Sequence, residues 1–390
     1  MNHEPRLDRI RPSSDMFTLV TERLWTRSWV PQTRVRRLIF AGAILYASVQ
    51  MSRGLYLAIS ADTNDITAIR DLFWSILGGD PMPSPYPPHT FVLLAPILLL
   101  PLPLTEVTMF ILNLSLIFFI WRRVGSALTL IPEERAWFLA FFLCWVSVRV
   151  TLSHGQLGLL ALAGAVLAFT SPALAWLGFV VSSAKYSLSF PVLFDQLLRK
   201  PRTLVPTILL GVAGTGLFLV WTGMPISDYA SYLGEGLSRE VTGLGVDVVS
   251  ALAQSFGTSA WMQMVVGALW LVLFFVVRRR IRHTVVLLAI LLSLSLLPVY
   301  HRFYDLVVLA PALGILLKSR PLVYPLVMTM GLAGVDVALG KRDFFGVQWI
   351  ETVARWYTPV LVSIVIAILI RIDSSDRALS GAADRAGGRT

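Results

Sequence analysis

The chain has 390 residues, 56% of them apolar and 14% charged, where soluble domains carry about 25% charged residues. That balance excludes a soluble globular enzyme and leaves an all-α polytopic membrane protein, because roughly 20 mainly apolar helical residues cross a hydrocarbon core about 30 Å thick. The single cysteine, Cys144, excludes an intramolecular disulfide scaffold and any zinc or redox site built on paired thiols; the net charge of +10 is scattered in clusters between apolar runs and reads as an orientation signal, with no nucleic-acid partner.

Residues 1–37 carry eight arginines against four acids, with Trp25 and Trp29 among polar neighbours. They read as a cytoplasmic arm ending in an interfacial helix. No short apolar core followed by a small-residue cleavage site precedes the first span, so Leu38 to Ile59 is expected to remain as an anchor. The membrane domain is taken as residues 38–370, with a first external segment at 61–89 and a second at 222–257. Arginine clusters at 199–202 and 278–282 mark cytoplasmic ends that face anionic lipid headgroups. Residues 371–390 are rich in Gly, Ala, Ser, Asp and Arg and are expected to form a disordered cytoplasmic tail. Both termini are thereby cytoplasmic.

The middle leaves two topologies open. Thr90 to Trp121 is interrupted by Pro96, Pro101 and Pro103 and reads either as one bent span or as two short ones. One span makes Tyr186 to Leu198 a short return segment, and charge favours it. Two spans put Lys185 halfway along a single long crossing. Either gives ten to twelve crossings.

The first external segment is the most informative. Ile66, Ile69, Phe73, Ile76 and Leu77 recur at helical spacing ahead of Gly78-Gly79, which predicts an amphipathic helix lying on the membrane surface and stopped by the glycines. Asp65 falls at its start, where a carboxylate also serves as a helix cap. Farther on stand Gly79-Asp80-Pro81, Tyr86-Pro87-Pro88, Gly155-Gln156-Leu157, Ala184-Lys185-Tyr186 with Pro191, and Tyr300-His301-Arg302 ahead of Asp305-Leu306.

In this order the motifs resemble glycosyltransferase family 87, polyprenyl-phosphate-sugar-dependent enzymes of the C-type membrane fold that include α-1,2-mannosyltransferases. Tyr186 stands where the family commonly has proline, and Arg302 where a second histidine is frequent. The resemblance implies an integral membrane hexosyltransferase of the cell envelope that moves a sugar, mannose foremost, from a polyprenyl-phosphate donor to a lipid or glycan acceptor at the external face.

The chemistry of such a transfer needs a base for the acceptor hydroxyl and cations for the departing phosphate. Asp65 is the expected base, with Asp62 the alternative and Asp71 third. Lys185, His301 and Arg302 are the expected phosphate ligands, since charges beside apolar segments are costly unless used or paired. Lys185 also reads as an interfacial lysine, and Arg302 as an ion pair with Asp305 one helical turn on. Gln156, Tyr86, Tyr300 and Asp305 are candidates to meet sugar or acceptor, although Gln156 equally suits a bridge between helices. No cofactor and no metal are expected: the acids are sparse, and no phosphate-binding glycine loop or dinucleotide fingerprint is present. A transporter or lipid-linked saccharide flippase shares the span pattern and the intramembrane lysine but calls for paired inverted halves, and no convincing repeat is seen. A noncatalytic scaffold leaves the ordered motifs unexplained.

Overall fold

A computed structural model describes residues 34–60, 65–84, 86–229, 231–232, 248–249, 251–252, 260–298, 303–319, 322–340 and 348–387. Among these residues the secondary structure is helical throughout. The helices run α1 Arg34–Ser60, α2 Asp65–Leu77, α3 Pro88–Leu98, α4 Leu102–Ala127, α5 Pro132–Cys144, α6 Val146–His154, α7 Gly158–Thr170 and α8 Ala175–Ser182. Then follow α9 Tyr186–Arg199, α10 Val205–Thr222, α11 Ala260–Arg280, α12 Thr284–Ser295, α13 Ala310–Ser319, α14 Val323–Gly340 and α15 Gln348–Gly387, with 3-10 turns at Ser183–Lys185 and Phe303–Leu309.

Five stretches are long and apolar enough to cross a membrane: one within Arg34–Leu77, of which residues 34–60 and 65–77 are described, then Leu102–Ala127, Pro172–Arg199, Pro201–Thr222 and Trp356–Ser375. A sixth arises if α5 and α6, bent by 63° at Trp145, make one broken span. The polytopic helical architecture is as expected, while full-length crossings among the described residues are fewer than the ten to twelve expected. The reason is that several apolar runs form helices too short to span: α3 has 11 residues and α12 has 12, about 16–18 Å of helix. Residues Val285 to Ser295 of α12 are all buried, so its uniform apolarity reflects a position inside the protein rather than contact with lipid.

The same break shapes the middle of the chain. Helix α3 ends at Leu98 and α4 starts anew at Leu102 behind Pro101. Proline at a first helical turn has no amide to lose. Pro172–Arg199 then forms one 28-residue stretch with Lys185 near its middle. Tyr186 to Leu198 thus continues a stretch that centres Lys185, as the two-span reading had it, whereas only α4 within residues 90–121 is long enough to cross, as the one-span reading had it.

Helix α2 forms with its predicted apolar face. Ile66, Ile69 and Phe73 are buried against Phe91, Leu94 and Leu98 of α3, Met109 of α4 and Leu157. That face is covered by protein. Its stop is as expected: the Gly79 N–H bonds the Ile76 carbonyl, the Asp80 N–H bonds the Ser75 carbonyl, and Gly79 takes a left-handed φ of 79°, a paired closure of the helix end. The Trp221 indole N–H also donates to the Leu77 carbonyl at 3.1 Å.

Helix α15 runs through Gly387. A composition without large apolar side chains cannot build a core, but it can extend a helix that a membrane span has already nucleated.

The tightest crossing joins α7 to α8. A Cβ added at Gly164 would lie 2.4 Å from the Ser182 backbone nitrogen, and one at Gly178 would lie 2.5 Å from that of Ala168. The pairs Gly164/Ala168 and Gly178/Ser182 are small residues four apart, which lets the two backbones touch. Gly178→Leu is expected to destabilise the protein by about 3 kcal/mol or more, whereas Gly211→Leu, with open space around its Cβ, leaves stability unchanged. Thermal unfolding in detergent followed by tryptophan fluorescence checks both.

Candidate active site

Asp65 opens α2, in its first turn, where backbone amides lack helical partners. Its carboxylate is about a third exposed and accepts a hydrogen bond at Oδ2 from the Gln156 side-chain amide; His154 Nδ1 stands 3.8 Å from the same oxygen. His154 ends α6 and Gln156 precedes α7, with Gly155 between them at φ 67°. A Cβ on Gly155 would approach the Ile66 Cβ to 2.6 Å. Glycine is thus required twice, by the left-handed backbone and by close approach to the first turn of α2. The turn at 154–156 is pressed directly onto the residue beside Asp65.

The second polar centre is Lys185. Its Nζ donates to Asp305 Oδ1 at 2.6 Å, with side-chain exposures of 11% and 3%, and it lies 5.0 Å from the centre of the Tyr304 ring. Asp305 therefore meets Lys185 from 120 residues away rather than only its own helical neighbours. Gly158, at the start of α7, lies beside this pair: a Cβ there would be in ordinary contact with Asp305 Oδ1 at 3.6 Å. One short segment, Gly155 to Gly158, thus touches both the Asp65 centre and the Lys185–Asp305 centre.

Lys185 sits where the span leaves α-geometry, with φ −129° and ψ 79°. Such a break frees carbonyls that hydrocarbon cannot satisfy. Two residues of the Tyr86-Pro87-Pro88 motif's continuation answer them. Thr90 Oγ1 donates to the Ala184 carbonyl at 2.9 Å, and His89 Nε2 lies 3.2 Å from the Ser183 carbonyl and 3.1 Å from Ser183 Oγ. Helix α10 closes over them at Gly214, whose Cβ position is 3.0 Å from His89 Cα.

Of the expected site residues, the structure brings Asp65 to Gln156 and Lys185 to Asp305. Asp62, Tyr300, His301 and Arg302 lie outside the described residues, and so does the expected Arg302–Asp305 pair. Tyr86 is half-buried at the edge of the α2–α3 apolar cluster, and Asp71 is exposed on the far side of α2. His154, His89 and Thr90 were not expected in the site. His89 and Thr90 follow a motif directly, which is the signal that marks them; His154 carries none except adjacency to Gly155-Gln156. Among the described residues no three His, Cys, Asp or Glu side chains gather as metal ligands.

A helical membrane bundle with a buried lysine–carboxylate pair and a second carboxylate at a helix start, all joined by one glycine-bounded turn, defines an integral membrane protein with a polar site among its helices. The profile of glycosyltransferase family 87 matches residues 85–301, more than half of the chain, and the protein belongs to that family; it is a membrane glycosyltransferase. No curated protein and no solved structure is significantly similar to it. The matched region includes Tyr86, Gln156, Lys185 and His301 but begins after Asp65 and ends before Asp305, whose places in the site rest on geometry.

Removing one member of a buried ion pair strands the other charge, at about 3–5 kcal/mol, while replacing both members costs far less. Lys185→Met alone and Asp305→Leu alone are expected to destabilise the protein to that extent, and the double variant to recover most of the loss. Thermal unfolding of the three purified variants measures it.

Proposed function

We propose that the enzyme transfers a hexose, with mannose the sugar the family resemblance favours, from a polyprenyl-phosphate carrier to a hydroxyl of a lipid or glycan acceptor at the external face of the membrane, by inverting single displacement and without a metal. In that reading the acceptor O–H gives its proton to Asp65 as its oxygen bonds the anomeric carbon. The bond from that carbon to the phosphate oxygen breaks at the same time, and its electron pair leaves with the polyprenyl phosphate. Phosphate is a competent leaving group, so one base suffices and no dedicated acid is needed. Lys185, His301 and Arg302 hold the phosphate, and Tyr86 and Tyr300 offer aromatic faces to the sugar. Both termini stay on the cytoplasmic side.

The observation that carries this reading is the carboxylate of Asp65, partly exposed yet held by Gln156, a short segment away from the buried ammonium of Lys185. A carboxylate held in this way suits proton abstraction from an alcohol. Family membership supports the transfer of a sugar; the proposal of a lipid-phosphate donor draws support from the family resemblance and from a cation inside an apolar span, where a greasy carrier reaches more readily than a soluble nucleotide sugar.

Membranes containing Asp65→Asn are expected to lose transfer from a radiolabelled polyprenyl-phosphate sugar by about 10²–10⁴-fold at unchanged expression. Loss in Asp62→Asn with full activity in Asp65→Asn would move the base to Asp62, and full activity in both would remove the mechanism. A panel of polyprenyl-phosphate sugars assayed with the purified protein identifies the hexose.

A further inference from the structure

The side chain of Gln156 is fully buried, which is an unusual place for a group that is to read a sugar. Its amide donates to Asp65 Oδ2, and its own Oε1 is buried with no hydrogen-bond partner among the described residues. Because an ionised carboxylate only accepts hydrogen bonds, the NH₂ end of the amide is the end that faces Asp65. The backbone supporting it is fixed equally firmly. The Gln156 N–H bonds the Thr151 carbonyl at 3.1 Å, Gly155 is in the left-handed region, and the turn meets Ile66 with no room for a further atom. Leu157 is fully buried in the apolar cluster beneath α2.

We infer that Gln156 is a positioning residue for Asp65: it acts on the carboxylate, through one donated hydrogen bond, and does not contact the sugar or the acceptor. This deepens the reading of Asp65 as the base and rests on it. A hydrogen bond donated to a carboxylate favours the ionised form, so the turn keeps Asp65 ready to accept a proton and holds Oδ2 in place, where a free aspartate at a helix start would swing between capping its own amides and facing the site. His154 is the titratable neighbour within 4 Å of Asp65 among the described residues. The elements packed on α2 bring further titratable groups, His89 on α3 and Glu106 on α4, and beyond Gly158 the Lys185–Asp305 pair. On α2 itself stand Arg70 and Asp71.

The test has one arm that needs no activity. Carbodiimides modify protonated carboxyl groups in apolar surroundings, so labelling of Asp65 by dicyclohexylcarbodiimide, followed by peptide mass spectrometry across a pH series, reports where Asp65 takes up its proton. In Gln156→Met, close in size and without a donor, the labelling midpoint is expected to move to higher pH by about one unit. The same comparison in a His154→Asn background removes the neighbouring histidine's titration and is expected to give the same upward shift. In the transfer assay the acid limb of the rate profile should move with the labelling midpoint, kcat should fall about tenfold or more, and KM should change by less than about threefold. Acceptors and donors lacking single hydroxyls should lose the same factor with Gln156→Met as with the parent enzyme.

An unmoved labelling midpoint in correctly folded Gln156→Met, verified by its thermal unfolding, overturns the inference. So does a variant that has lost sensitivity to the removal of one substrate hydroxyl, because that pattern belongs to a sugar ligand. If Gln156→Met does not fold, Gln156→Glu carries the same test: a carboxylate facing Asp65 must raise the midpoint further, and no rise refutes the proposed contact. Failure of the mechanism itself looks different, since Asp65→Asn would then retain transfer whatever the labelling shows.

Discussion

A charged group between apolar helices must be answered by another group at hydrogen-bond distance, and that constraint organises this bundle. Three carboxylates show it. Asp305 is answered by Lys185, and Asp65 by Gln156. Asp195, 1% exposed, accepts from Arg199 Nε at 2.9 Å and Arg278 Nε at 3.1 Å. The last of these ties the end of α9 to the end of α11 inside the arginine clusters that mark membrane orientation. Those arginines therefore do more than face lipid: two of them are folded back onto a buried acid, which would be left short of a donor if either were removed.

The same constraint explains why the irregular backbone lies where it does. Helix breaks at Trp145, Gly155 and Lys185 release amides and carbonyls that lipid cannot satisfy. Each break is packed inside protein. The Trp145 indole N–H reaches Thr329 Oγ1 at 3.3 Å, the Gly155 turn is closed by the Thr151 carbonyl, and the Lys185 turn is closed by His89 and Thr90. Broken helices expose polar atoms in the middle of an apolar bundle, so the sites able to bind a polar substrate and the sites that most need intramolecular partners are the same places. The close α7–α8 crossing supports this, because Gly164 and Gly178 hold together the two helices that flank the breaks at Gly155 and Lys185.

Local pattern made part of this legible. The spacing of Ile66, Ile69 and Phe73 defines the buried face of α2, and Gly78-Gly79 its end, because both signals lie within four turns of one helix. What covers that face was not legible: periodicity tells that a stripe is buried but not whether by lipid or by Phe91, Leu94 and Met109. The candidate site divides in the same way. Asp65, Gln156, Lys185 and Asp305 each stood out as polar residues at motif positions, yet the pairing of Lys185 with Asp305 spans 120 residues, and nothing local to Arg302-Phe303-Tyr304-Asp305 announces a partner so distant. The difference between the expected crossings and the full-length spans among the described residues has a related reason. Hydropathy sees the apolar content of α3 and α12 but not their lengths, which proline and packing set.

The pairing of Lys185 bears on how an anionic ligand is received. An ammonium already neutralised by Asp305 attracts a phosphate less than a bare one, and a phosphate that took its place beside Lys185 would remove one donor from Asp305, which is 2% exposed. Loss of a donor is costly to a desolvated carboxylate. The sequence places His301 and Arg302 four and three residues before Asp305, so a carboxylate released by Lys185 has cationic side chains on its own segment. An exchange in which one cation turns to the phosphate while another takes the carboxylate keeps every buried charge answered throughout.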